Sequence, residues 1–416
     1  MSLNNDLQTN HKVVRFLEEA KAQSEIVLDG LPGIFAVIDA HGNIFRGNCQ
    51  LAEILGVEFE NIAGNNLSKI FPKSKWDDFK NHILESIVSP ELITTFEMDL
   101  IGKNKLILNH ILNIRTMQNA DYKSTELNLF VLIGNDITSV KQVTQKMSRM
   151  EDELKTAKAV QDTLFPDPSE FANAAFSLAG SYQPASECGG DWWFYNTIGQ
   201  QVFFWIGDVT GHGVSAALIT SAARAAVSGI ETHTVMTPSL ALSILNKAVY
   251  DASKGKKYMS FCVVALDLAT GKCTYATAGH ELPYIIRHQP GRSIAPSDIS
   301  FLPGGETTFL LGQQENSSFE DAEIKLNPGD RIFLFTDGVN ELVNEFEEQW
   351  GNRRVKQALN KCANDCQTSP AFISEFNKYI LEYKKETELL DDVTFFIFQF
   401  LNFHGEVPDL KFHHSE

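Results

Sequence analysis

Four aspartates stand where strongly apolar runs begin or end. Asp191 follows Gly189-Gly190, Asp208 follows the run from Phe203 to Gly207, Asp337 follows Phe333 to Thr336, and Asp391 precedes Asp392 and the run Val393 to Phe396. A carboxylate at the edge of a buried strand is costly unless a cation, a cap or water compensates it. Taken singly, each reads as a turn residue, because Asp-Gly and Asp-Asp pairs punctuate strands. Taken together, each joined to a Gly or a second Asp, they point to an oxygen-only site for hard cations such as magnesium or manganese. Two such ions can clamp both sides of a phosphoester displacement and lower the pKa of a bridging water.

Other chemistries fare worse. Gly211-His212-Gly213-Val214-Ser215-Ala216 follows a strand-like run and opens a helical one, as the G-x-G-x-x-A turn of dinucleotide folds does. Asp208 just before those glycines would repel a pyrophosphate, and a second helix follows where a parallel strand is needed. No G-x-x-x-x-G-K-[ST] loop occurs. Cys362-x-x-x-Cys366 has no second pair or nearby His to complete a zinc site, and the six cysteines are scattered as reduced cytosolic thiols would be. In a chain of 416 residues, 35 Lys and Arg against 53 Asp and Glu leave a net charge of −18, which argues against a nucleic-acid partner. With 43% hydrophobic and 21% charged residues the composition is globular, and the length favours two or three domains. No apolar window of about 18 residues is present to span a membrane. The charged N-terminus does not read as a secretory signal, so a cytoplasmic location is expected.

The elements that must position these residues fall into five stretches. Residues 1–28 hold one helix, with apolar positions at Val13, Leu17, Ala20 and Val27, that stops at Asp29-Gly30. Residues 29–140 begin with a hairpin, Ile34–Ile38 and Asn43–Arg46 around Asp39-Ala40-His41-Gly42. Helical pieces at Gln50–Leu55 and Trp76–Ile87 and three strand-like runs, Thr94–Leu100, Lys105–Arg115 and Leu127–Ile133, follow. Residues 141–168 read as a linker helix ended by Pro166 and Pro168. Its Val143, Met147, Met150, Leu154, Ala157, Gln161 and Leu164 alternate four-three as a coiled-coil seam, favouring a parallel homodimer over a helix packed on its own domain. Residues 169–401 alternate strand-like runs (Phe176–Tyr182, Gln201–Ile206, Ser260–Asp267, Cys273–Ala278, Arg331–Phe335, Val393–Gln399) with two helices, Val214–Ile230 and Pro238–Ala252. Residues 402–416 are a tail whose His404, His413 and His414 are expected in solvent.

The order of elements in 29–140, with FAVIDAHGNIFRGN at its start, LSKIFP before a helix and VLIGNDIT at its end, resembles a PAS sensor domain. Such domains hold haem, flavin, small metabolites or nothing. His82 is the candidate haem ligand, set against the commoner surface or core histidine, and the sensor's ligand stays unassigned. GGDWW (189–193), IGDVTGHGVSAAL (206–218), TAGHELPYI (277–285), LNPGDRIFLFTDGVNEL (326–342) and DDVT (391–394) resemble, in order, the motifs of bacterial metal-dependent PPM (protein phosphatase 2C-like) serine/threonine phosphatases of the SpoIIE and RsbU type. KAVQDTLFP (158–166) is similar to the helix and Leu-Phe-Pro entry preceding that domain.

The resemblance implies an α+β chain: a PAS fold, a coiled-coil linker and a β-sandwich flanked by helices with two Mn2+ or Mg2+ at one end. Carried over residue by residue, it makes Asp191 and Asp208 shared ligands, adds the main-chain carbonyl of Val209, and completes the set with Asp337 and Asp391. His212 and His280 fall in motifs as loop elements and not as ligands. Phe194 stands where many members carry an acidic residue, outside the ligand set, and the phosphate-holding arginine of the eukaryotic branch has no counterpart. The implied activity is hydrolysis of phosphoserine or phosphothreonine by a metal-activated hydroxide without a phosphoenzyme. The implied substrate is an anti-sigma-factor antagonist of the STAS type in partner-switching signalling. The alternative is a catalytically silent scaffold using the same fold, which the four intact aspartates disfavour.

Overall fold

The computed structural model of the chain describes residues 19–117, 128–166, 169–304 and 309–405. The chain forms two compact units, Met1–Met150 and Glu151–Glu416. In the first, helix α1 covers residues 19–29, within the expected N-terminal helix; the part of that expectation before residue 19 lies outside the described residues. β1 (Ile34–Asp39) and β2 (Ile44–Gly47) form the expected hairpin. Its turn is held by Asp39, whose Oδ1 accepts from the backbone N–H groups of His41 (2.9 Å) and Asn43 (2.8 Å). Asn48 caps α2 (Cys49–Leu55) from a buried position. Helix α3 (Trp76–Val88) precedes β3 (Thr94–Ile101), β4 (Ile107–Thr116) and β5 (Leu129–Asp136). The sheet is antiparallel with order β2-β1-β5-β4-β3, and one core lies against it. This is the sensor fold that the element order implied. His82 stacks on Phe96 with ring centroids 3.9 Å apart and sets Nδ1 3.0 Å from Glu85, which makes it a surface packing residue.

Helix α4 (Thr138–Asp162) carries the chain from the first unit into the second. Val143, Met147 and Met150 of its apolar stripe are more than half exposed. The stripe does not run on to Leu164 as the heptad spacing suggested. Gln161 is buried, and Leu164 and Phe165 pack on the second unit's core, where Trp192 Nε1 donates to the Leu164 carbonyl (2.8 Å) and Phe165 stacks on Tyr182. The last turn therefore folds onto its own domain, because an indole donor and an aromatic face are waiting there.

The second unit is a sandwich. It comprises β6 (Glu170–Ala172), β7 (Phe176–Gln183), β8 (Trp192–Ile198), β9 (Gln201–Val209), α5 (Val214–Ile230), α6 (Pro238–Ser253), β10 (Met259–Asp267) and β11 (Lys272–Ala278). There follow β12 (Tyr284–Ile286), β13 (Ile299–Phe301), β14 (Ala322–Lys325), β15 (Arg331–Phe335), α7 (Asp337–Glu341), α8 (Gly351–Asp365), α9 (Ser369–Lys384) and β16 (Val393–Phe400). One sheet has order β14-β11-β10-β9-β8 and the other β13-β12-β15-β16-β7-β6. Each strand face has its own core. Trp193, Tyr195, Phe204 and Ile206 point between the sheets; Trp192, Phe194, Phe203 and Trp205 point toward α5 and α6; Phe333, Phe335, Phe395 and Ile397 point toward α8 and α9. The layers are thus helix pair, sheet, sheet, helix pair, and side chains alternate between two buried faces.

The second unit holds more elements than the sequence reading contained: the short strands β6, β12, β13 and β14, helix α7, and three larger elements, β8, α8 and α9. β8 was not anticipated, because Trp192 to Tyr195 are all buried and show no polar alternation. α8 and α9 were also missed, although Val355, Leu359 and Cys362, and Phe372, Phe376 and Ile380, recur at helical spacing. Cys362 faces that core and the Cys366 N–H donates to its carbonyl (2.9 Å), so the pair closes a helix. In the tail His404 is exposed as expected, while His413 and His414, like Pro168 of the linker, lie outside the described residues.

Candidate metal centre

The four aspartates occupy the ends of four strands at one end of the sandwich. Asp191 immediately precedes β8, Asp208 is the penultimate residue of β9, Asp337 opens α7 just beyond β15, and Asp391 lies before β16. β8 and β9 are neighbours in one sheet, β15 and β16 in the other, so the pleat delivers two carboxyls from each sheet. Asp191 and Asp208 are in side-chain contact. Asp208 and Asp337 line one cavity of about 160 Å³ together with Ser260, His280 and Glu281. Among the described residues no three His, Cys, Asp or Glu groups already close on a single point.

The electrostatics are those of uncompensated negative charge. Burial, and next the charge of Asp208, hold the Asp191 carboxyl well above the ordinary range. Burial followed by the charges of Asp337 and Asp391 pushes Asp208 up to about 8. Burial, then Asp391, Glu341 and Glu281, raises Asp337 to about 6. Burial also raises Asp391, where exposed His212 acts in the opposite sense. An oxygen-only cluster that repels itself suits a hard divalent cation.

The loop carrying Asp191 is built for close approach. A Cβ at Gly189 would stand 2.3 Å from both Asp392 Oδ2 and the Tyr182 hydroxyl, and one at Gly190 would stand 2.9 Å from the Val209 carbonyl oxygen and 3.1 Å from Asp208 Oδ1. The two glycines therefore let the main chain lie against Asp208 and Val209. Three further groups, absent from the sequence reading of the site, hold this loop. Asp392, buried, accepts from the N–H groups of Ala185 (2.8 Å), Gly190 (2.6 Å) and Asp191 (3.3 Å). Thr336 donates to Asp191 Oδ2 (2.8 Å). Gln161, from the last turn of α4, donates Nε2–H to the Gly189 carbonyl (2.7 Å) and accepts the Gly189 N–H on Oε1 (3.2 Å). The helix side is tied as well, since the Thr220 hydroxyl of α5 donates to the Gly190 carbonyl (2.9 Å).

The motif histidines differ in setting. His280 is buried with Nδ1 2.7 Å from Ser260 Oγ, and burial pushes its imidazole down to about 4, so it is neutral at pH 7. His212 stands exposed at the turn into α5. Phe194 points away from the carboxyls into the α5 layer, under the Arg224 guanidinium at 4.0 Å, which accounts for an aromatic residue there.

Comparison with known proteins agrees with this architecture. Residues 198–401 match the Stage II sporulation protein E (SpoIIE) family and residues 32–139 match the PAS domain family. Phosphoserine phosphatase RsbU of Bacillus subtilis (strain 168) is 26% identical over 228 residues, covering 54% of this chain and 64% of that protein. Phosphoserine phosphatase RsbP of the same organism is 24% identical over 192 residues, covering 45% of each chain. The chain thus spans less than two thirds of the length of these curated relatives. The solved SiaA-PP2C domain of Pseudomonas aeruginosa shares the fold, with a TM-score of 0.51 at 24% identity over 62% of this chain and 98% of that one.

Proposed function

From a chain that joins a PAS domain to a SpoIIE-family domain of PP2C-like fold, we propose a metal-dependent phosphoserine/phosphothreonine protein phosphatase under sensor control. The observation that carries this reading is the gathering of four strand-end carboxyls at one end of the sandwich, their pKa values raised by burial and by neighbouring carboxylates. Asp191, Asp208, Asp337 and Asp391, with the carbonyl of Val209, would hold two Mn2+ or Mg2+. When bound, such ions supply Lewis acidity toward phosphoryl oxygens and lower the pKa of water.

The chain's own residues do the positioning. Thr336 engages Oδ2 of Asp191 and so fixes the carboxyl's orientation at the site. Asp392, adjacent to Asp391, spends its carboxylate on three loop amides and fixes the distance between Asp191 and the end of β16. Neutral His280, seated on Ser260, keeps further positive charge off the cavity wall. A silent scaffold would gain nothing from four mutually repelling carboxyls, which cost stability when uncompensated.

The relatives named phosphoserine phosphatase favour a phosphorylated protein substrate, and an anti-sigma-factor antagonist of the STAS type is the proposed one. Exposed Val143, Met147 and Met150 on α4 support pairing of two chains through that helix, now limited to its N-terminal part. No helix among the described residues is long and apolar enough to cross a membrane, in keeping with a cytoplasmic role. The test is hydrolysis of p-nitrophenyl phosphate in manganese. Asp337→Asn should lower turnover at least a hundredfold with an unchanged circular dichroism spectrum, and full activity in the folded variant or in excess chelator would refute the mechanism.

A further inference from the structure

A groove of about 890 Å³ lies between α8 and α9 on the second unit, away from the carboxyl cluster. Its lining includes Arg353, Arg354, Lys356 and Lys361 against one carboxylate, Glu382, in a chain whose net charge is −18. The cations are not used up by internal ion pairs. Arg354 meets Glu348 at 3.4 Å, while Arg353, Lys356 and Lys361 have no carboxylate at ion-pairing distance among the described residues. Lys361 instead lies over the Tyr379 ring (5.4 Å) and Arg354 over Tyr383 (5.5 Å). Val355, Leu359 and Cys362 bury the opposite face of α8, so core packing forces the basic residues outward but does not dictate their sign.

We propose that this groove docks an acidic segment of a protein partner, and, resting on the phosphatase reading, that the partner is the phosphoprotein substrate. Charge complementarity selects the occupant: unpaired cations beside tyrosine faces fit carboxylate side chains interspersed with apolar ones. A long polyanion or an anionic bilayer would have to meet the rest of a chain whose net charge is −18, whereas a short acidic segment needs only the groove. The connection to the site is direct, because the chain runs from Asp337 through α7, which packs on α8, into Trp350 on the groove's wall. Docking there tethers a substrate to the unit that carries the carboxyls without requiring a phosphate-binding arginine inside the site.

The full-length protein is tested by fluorescence anisotropy with a labelled ten-residue peptide of six Glu and four Leu, against a peptide with Gln for Glu. The acidic peptide should bind at least tenfold tighter, and Arg353→Glu with Lys356→Glu should remove that difference while Lys325→Glu on the same domain leaves it. Equal binding of the two peptides, or an unaffected double variant, overturns the proposal. So does capture by phosphatidylglycerol vesicles through Arg353 and Lys356 without peptide binding. In a second arm, phosphoserine peptides carrying the same two tails should differ about tenfold in KM in the wild type and not in the double variant, with p-nitrophenyl phosphate turnover unchanged. Normal aryl phosphate turnover without acidic-peptide binding refutes docking and leaves the phosphatase standing; acidic-peptide binding without any turnover refutes the phosphatase and supports docking.

Discussion

Removing the charge of Asp208 should stabilise the metal-free protein, and the effect should depend on pH. Burial and the charges of Asp337 and Asp391 raise its pKa from 3.8 to about 8. Between those values the native state keeps a proton that the unfolded chain has released. Unfolding then frees protons, and stability falls as pH rises, by up to about 1.4 kcal/mol per pH unit for one group. Asp337, raised to about 6, adds a contribution of the same sign over the lower half of the window. Water reaching the cavity screens part of this field, so a loss of about 2–3 kcal/mol from pH 5 to pH 8 is expected, or roughly 4–12 °C in Tm for a domain of this size. In Asp208→Asn the slope should shrink, and at pH 8 the metal-free variant should melt above the wild type. Manganese should reverse the order by stabilising only the wild type, with proton release on binding. The assay is calorimetric melting in chelator from pH 5 to 8, repeated with manganese. A wild-type Tm that is flat or rising with pH in chelator, or a variant less stable at pH 8, would refute the claim that these carboxyls repel one another uncompensated.

Two other outcomes follow from the geometry. Gln161→Leu leaves the buried N–H and carbonyl of Gly189 unsatisfied, which should cost about 2–4 kcal/mol and weaken manganese binding by at least tenfold, read by melting and by metal titration; wild-type metal affinity would show that α4 does not position the loop. Met150→Lys with Leu154→Lys should shift the full-length protein toward monomer in light scattering, since charge enters an exposed apolar stripe, and a wild type already monomeric at micromolar concentration would leave that stripe without a partner chain.

How far the sequence was legible depends on the kind of signal. The hairpin at Asp39, the capped helices and the half-exposed sensor strands carry turn chemistry and alternation, and they form close to where those signals stood. In the sandwich both faces of most strands are buried, so alternation vanishes, and Trp192 to Tyr195 carry no period that would mark β8. The carboxyls were visible because an acid beside an apolar run is an anomaly. Their supports were not. Asp391 and Asp392 are adjacent and chemically identical, and only the chain's path shows that Asp392 takes three amides while Asp391 is left toward the site. The signal for Gln161 was its polarity: an amide in an apolar repeat can mark register in a coiled coil or a buried partner elsewhere, and the fold supplies the partner.

That placement bears on sensor control, because α4 has two unlike ends. The segment with Val143, Met147 and Met150 presents apolar surface, and the segment with Gln161 clasps the glycine loop whose next residues are Gly190 and Asp191. A helix is stiff over this length, and one residue of rotation turns a side chain by about 100°, so a small change in how the exposed segment packs is enough to misalign an amide that makes two hydrogen bonds. Loss of one of those bonds, at about 1–3 kcal/mol for a buried group left unpaired, matches the 1–3 kcal/mol over which coupling between sites ordinarily works. Under the proposed sensor control, the clasp would hold the loop with α4 in register and would lie within reach of release by repacking of the exposed segment. A hydrophobic residue at 161 would fit a continuous seam better, yet it would leave the loop that carries Asp191 without its tie to the linker.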